Sequence, residues 1–113
     1  MSKRSTRLLL EDILDAIEKI VQYTCEMDYE AFVGDTKTFD AVVRNFEIIG
    51  EAANMLPDEI EERYPDVEWH RIIGLRDRLI HGYFGVDPSI VWQILRRDLE
   101  PFRISIYKIL NEN

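Results

Sequence analysis

Apolar residues recur at three- and four-residue steps along nearly the whole chain, and that spacing leaves little room for anything but helices. Leu10, Ile13, Leu14, Ile17, Ile20, Val21 and Thr24 form one such series, behind the capping candidates Ser5 and Thr6. Steps of three and four gather side chains on one face of a helix, and a hydroxyl before the first turn satisfies amides with no partner inside it. After a turn at Gly34-Asp35, a second series runs through Phe39, Val42, Phe46, Ile49, Ala53 and Leu56, with Thr36 or Thr38 as its cap and Pro57 at its end. A short acidic helix is expected over Asp58–Arg63, and a third long helix from about Asp66 to Ile80. Asp87-Pro88 reads as a cap followed by proline at the first helical position. A long last helix follows, carrying Val91, Ile94, Leu95, Phe102, Ile106 and Ile109, and Pro101 should kink or split it.

Four sizeable helices with short connections predict an all-α protein, an antiparallel four-helix bundle with one short extra helix. At 113 residues the chain is one domain, residues 1–113. A bundle this small, with aromatic side chains to spare, is expected to bury one face in a homodimer.

Composition narrows the function. Cys25 is the single cysteine, which rules out an internal disulfide and a cysteine-based zinc site. His70 and His81 are the only histidines, so no metal site and no cofactor is expected. The longest apolar runs are too short to span a bilayer, and acids follow the basic start before any long apolar stretch; no membrane association and a cytoplasmic location are expected. The net charge of −8 argues against a generic nucleic-acid binder. The charge is uneven, however: residues 11–62 hold 15 acids and three bases, whereas residues 63–108 hold six acids and eight bases. One part of the molecule can tolerate a polyanion that another repels.

The run Arg76-Asp-Arg-Leu-Ile-His-Gly-Tyr83 concentrates the chemistry. On an ideal helix Arg76 continues the stripe of Trp69, Ile72, Ile73, Ile80 and Tyr83, where burial of an unpaired guanidinium would cost several kcal/mol, roughly. It therefore calls for a carboxylate such as Glu47 or Glu51, a cleft between subunits, or an anionic ligand. A second stripe holds His70, Gly74, Asp77 and His81; Asp77 sits one turn before His81, where it can orient the imidazole. Gly74 suggests close approach by another backbone. Arg76 and His81, five residues apart, diverge by roughly 140° on an ideal helix. Convergence on one atom requires unwinding near Gly82 or a second copy of the helix across a two-fold axis.

Arg76-x4-His81-x-Tyr83 resembles the signature of the HEPN superfamily in the form found in HepT toxins. The likeness extends to Arg44-Asn-Phe-Glu-Ile-Ile-Gly-Glu-Ala-Ala53, to His81-Gly-Tyr-Phe84, and on to Val91-Trp92 and Asp98-Leu99. It covers most of the chain in order. The resemblance implies an all-helical homodimer acting as a metal-independent ribonuclease, with the motifs of both protomers in one cleft. It implies further a toxin–antitoxin pair (type II/VII-like) whose antitoxin is a minimal nucleotidyltransferase (MNT) that AMPylates Tyr83. On this reading Arg76 and His81 are catalytic, Asp77 orients His81, and Tyr83 is the modification site. Arg78, Arg96 and Arg97 are candidate contacts to RNA phosphates, although a solvated helix face is the preferred reading of Arg96 and Arg97. Glu47 and Glu51, one turn apart, are expected to pair with Arg44 or Arg76 or to face solvent, and Trp69 and Trp92 to anchor a core or an interface. A rival reading is a non-catalytic helical docking partner of a nucleotidyltransferase, in which Arg76 is a structural cation.

Overall fold

The computed structural model describes residues 4–79 and 85–112, and of Arg76 the backbone alone. Among these residues there are eight helices and no strand: α1 (Thr6–Thr24), α2 (Tyr29–Gly34), α3 (Thr36–Met55), α4 (Asp58–Arg63), α5 (Trp69–Ile73), α6 (Leu75–Leu79), α7 (Pro88–Arg97) and α8 (Leu99–Glu112). The four long segments expected from the periodicity are present as α1, α3, α5–α6 and α7–α8, and the fold is all-α. No helix among the described residues is long and apolar enough to cross a membrane.

The principal seam joins α1 to α3. Leu10, Ile13, Ile17 and Ile20 on α1 and Val42, Phe46, Ile49 and Ala53 on α3 are fully or almost fully buried. Complete burial of a side chain of this size stabilises by about 1.5–3 kcal/mol, so this stripe supplies much of the driving force for collapse. α8 packs against α1 as well, while α3 also carries α5 and α6. α1 and α8 are further joined by Arg103, whose Nε donates to Glu18 Oε1 at 2.6 Å and whose Nη2 donates to Glu18 Oε2 at 3.3 Å. Tyr107 Oη donates to the same carboxylate at 3.3 Å. The paired carboxylate raises the pKa of Arg103 further above the ordinary guanidinium range.

Several boundaries differ from those read off the sequence, each for a local reason. Ser5 caps α1 as expected, accepting from the Leu8 amide at 3.1 Å. α3, however, is capped by Asp35 rather than by Thr36 or Thr38. Its carboxylate accepts from the Thr38 amide at 3.0 Å and from the Thr38 hydroxyl at 2.9 Å. The residues just before that cap form α2, a helical turn and a half not anticipated from the pattern. Asp28 caps it through the Ala31 amide at 2.8 Å, and Phe32 is buried beneath it. There are thus two short helices beside the long segments, α2 and α4.

The third segment begins at Trp69, not Asp66, and is interrupted at Gly74. The last segment is interrupted at Asp98, three residues ahead of Pro101. Proline placed in a helix has no amide to donate and its ring collides with the carbonyl four residues back, here that of Arg97. α7 ends at Arg97 for that reason, and Pro101 falls in the first turn of α8, where a missing amide costs nothing. At the head of α7, Asp87 accepts from the Ser89 amide at 2.9 Å and Pro88 occupies the first position.

The Asp35 cap should be visible in a pH series. Hydrogen bonds from the Thr38 amide and hydroxyl hold the Asp35 carboxyl below its ordinary pKa. A depressed folded-state pKa means that the stabilisation is complete above the ordinary value near 3.9 and is lost as pH falls through the folded value. Asp35→Ala should therefore lower Tm at pH 7, with the gap to the parent narrowing toward pH 3. Asp35→Asn should recover most of the pH 7 loss, because an amide oxygen caps nearly as well.

Candidate functional site

α5 and α6 carry the residues singled out in the sequence, and Gly74 decides how they are presented. It caps the C-terminus of α5, with φ −77° and ψ −2°, and its amide donates to the His70 carbonyl at 3.0 Å. A Cβ at this position would lie 3.1 Å from that same carbonyl oxygen. The close approach expected at Gly74 is thus made by its own preceding turn.

The interruption resets the apolar stripe. Trp69 is buried and donates through Nε1 to the Tyr64 carbonyl at 3.0 Å, with its ring edge-on to Phe102 at 6.2 Å. Ile72 and Ile73 are only half-buried, whereas Leu75 and Leu79 are buried, one turn apart on α6. Leu75 and Leu79, not a continuation of Trp69-Ile72-Ile73, anchor α6. The backbone position of Arg76 follows Leu75 directly, about 100° round the helix from Leu75 and about 60° from Leu79.

His70, Asp77 and Arg78 are exposed. The positions of His81 and Tyr83 lie outside the described residues, as does the side chain of Arg76, so the expected convergence of these groups concerns atoms not described. Glu47 forms an ion pair with Arg44 at 3.5 Å, and Glu51 is exposed, in keeping with the structural reading of that pair. Arg96 lies over the Trp92 ring, 5.4 Å from its centroid, and that indole also meets Phe32 at 5.2 Å and Tyr29 at 6.0 Å. Arg97 is exposed beside it in the last turn of α7.

Beside α5–α6 a groove of about 240 Å³ opens between α3, α6, α7 and α8. Phe46, Ile49, Ile72, Leu75, Ile94 and Phe102 give it an apolar lining, and Asp66, Glu68, Arg71, Arg78 and Asp98 stand around it. Arg71 is tied on both sides, to Glu68 at 2.9 Å and to Asp98 at 3.4 Å. The candidate phosphate contacts do not share this groove: Arg78 lines it, whereas Arg96 lines a second hollow with Cys25, Glu100 and the end of α1. Sequence reasoning missed Arg71 and Asp66. No helical spacing could have found them, because Arg71 and Arg78 stand on opposite sides of the break at Gly74 and Asp66 precedes α5.

Leu79 couples this region to the core. Leu79→Ala should destabilise the fold by about 2–5 kcal/mol, the range for a fully buried leucine. Urea titration followed by circular dichroism measures this directly, and a loss below about 1 kcal/mol would mean that α6 is not anchored as described.

Residues 13–109 match the family described as ribonuclease HepT-like. Among curated proteins, the chain is 40% identical over 107 residues to "Probable ribonuclease HepT" of Thermococcus cleftensis, covering 95% of this chain and 97% of that protein. It is 38% identical over 112 residues to "Putative RNase MJ0125" of Methanocaldococcus jannaschii, covering 99% and 97% respectively. No solved structure matches the chain significantly.

Proposed function

Because the chain belongs to the HepT-like ribonuclease family, we propose that it cleaves RNA without a metal ion, at a cleft shared by two copies of the chain. The observation that carries this reading is near-full-length identity to proteins named as ribonucleases, joined to the Arg76-x4-His81 motif in the chain itself. In the proposed reaction the 2′-oxygen of a ribose attacks the adjacent phosphorus. Its proton passes to a base, the bond from phosphorus to the 5′-oxygen breaks, and an acid protonates that leaving oxygen. The products are a 2′,3′-cyclic phosphate and a 5′-hydroxyl. Imidazole titrates near neutral pH, so His81 suits the proton transfers, and two copies across a two-fold axis can divide the acid and base roles. Arg76 binds the phosphate and opposes the charge that builds on its oxygens in the transition state. Asp77 orients His81.

Tyr83 serves as the control point. An unperturbed phenol titrates near 10, too high for efficient acid–base work at neutral pH. Its hydroxyl instead accepts AMP from ATP, with release of pyrophosphate, in a reaction catalysed by an MNT-type nucleotidyltransferase antitoxin. The added bulk and negative charge then exclude RNA. The acidic segment 11–62 offers such a partner a surface complementary to a basic face, and attraction of that kind acts mainly on the association rate.

Cleavage should persist in EDTA, leave a 2′,3′-cyclic phosphate and spare DNA of the same sequence. His81→Ala should lower the rate by roughly 10²–10⁴-fold, the usual contribution of general acid–base catalysis, with the fold unchanged by circular dichroism. An active His81→Ala protein, or a strict metal requirement, would remove the mechanism. A folded parent protein inert toward RNA that still binds the nucleotidyltransferase would favour the docking-partner reading. Intact mass after co-expression with the antitoxin should rise by one or more AMP units that map to Tyr83, and Tyr83→Phe should abolish the gain.

A further inference from the structure

We propose that the groove between α3, α6, α7 and α8 is a base-recognition subsite that takes one unstacked guanine of the RNA. The inference rests on the ribonuclease reading and extends it to the choice of sequence.

The first argument is size. Sites for drug-sized ligands span about 300–1,000 Å³, and this groove holds about 240 Å³, which suits a single heterocycle better than a whole nucleotide. The second is the lining. Half-buried Val67 and Ile72 and exposed Pro101 leave apolar surface open in the groove beside the buried Phe46, Ile49, Leu75 and Phe102, with the exposed Arg71 guanidinium at its edge, and single-stranded RNA is read by splaying a base onto aromatic or guanidinium planes and hydrogen-bonding its edges.

The third argument is the polar inventory. Glu68 and Asp98 are already engaged with Arg71, which leaves one carboxylate and one guanidinium uncommitted. Asp66 and Arg78 both stand at the groove, both are exposed, and neither side chain forms an ion pair or hydrogen bond among the described residues. Guanine matches that pair. Its N1–H and N2–H lie side by side and face both oxygens of one carboxylate, while O6 and N7 accept from an arginine. Uracil and cytosine lack the second pair of adjacent groups, and adenine offers a carboxylate only one amino group on its pairing edge.

The fourth argument is position. Leu75 forms part of the wall and Arg78 part of the rim, so α6 contributes to the groove on both sides of Arg76 in the chain. A base seated here leaves its own phosphate close to the helix that carries Arg76.

Methyl NMR titration of the wild-type protein with GMP, AMP, CMP and UMP tests the subsite without requiring cleavage. GMP should shift the Ile49, Ile72 and Leu75 methyl signals saturably, with a Kd at least tenfold below those of the other three. Asp66→Asn and Arg78→Ala should each weaken GMP binding at least tenfold. Ser105→Trp, which places an indole in the groove from α8, should abolish it. Equal shifts with all four nucleotides, no saturable shift, or groove signals that respond to protein dilution instead of GMP would each overturn the inference, the last by showing a second copy seated there. Mapping of cut sites by the wild-type protein separates this from the parent reading. Cleavage without base preference, together with no GMP binding, overturns the subsite and leaves the nuclease; selective GMP binding by a protein that cuts no RNA sustains the subsite and removes the nuclease.

Discussion

The apolar seam between α1 and α3 is the contact from which the other elements take their places. Both helices are long enough to present several turns of aliphatic side chains to each other, and residues such as Ile13, Ile17, Val42 and Phe46 are closed off from solvent. With this pair formed, α3 offers a further surface to α5 and α6, and α1 offers one to α8. The Glu18–Arg103 pair then fixes α8 against α1 by two parallel contacts. Both side chains are partly exposed, so its value lies more in orientation than in net stability.

Two interruptions shape the candidate site. Gly74 ends α5, and Pro101 forces the end of α7 at Arg97. They lie far apart in sequence, yet Arg71, just ahead of the first break, reaches Asp98 at the second. The ion pair is half-exposed and carries little net energy, but it sets the two breaks beside each other where the groove opens. A continuous helix in either place would carry its side chains past this point in a regular spiral. The breaks turn two helix faces into the walls of a concavity.

Much of this architecture was legible from spacing. The stripes of α1 and α3, the Ser5 cap and the Asp87-Pro88 start of α7 follow from rules that act within one helical turn. The failures share a cause. α2 is six residues long, too short to show periodicity, and its stability comes from the Asp28 cap and from Phe32 packing on Phe39 and Trp92. The anchoring of α6 by Leu75 and Leu79, at the four-residue spacing, is not visible in a single stripe drawn through Gly74. The catalytic assignment came from a different source, the Arg76–His81–Tyr83 motif and its resemblance to a known family, and periodicity could not have supplied it. The groove was not legible at all, since it is assembled from α3, α6, α7 and α8.

Charge is the remaining tension, because a chain of net −8 is an unpromising ligand for RNA. The distribution relieves much of it. Acids dominate the first half of the sequence, which supplies α1 to α4, and bases are in slight excess in the second half, which supplies the proposed site. At physiological ionic strength exposed charges are screened over about 8 Å, so a phosphate near α6 responds mainly to Arg71, Arg78 and their immediate carboxylates rather than to the distant acidic helices. The acidic half still lowers the long-range attraction that most nucleic-acid-binding proteins rely on for fast, unselective association. A nuclease built this way depends on short-range contacts to hold its substrate. Local recognition of a base then contributes more to binding than it would in a strongly basic protein.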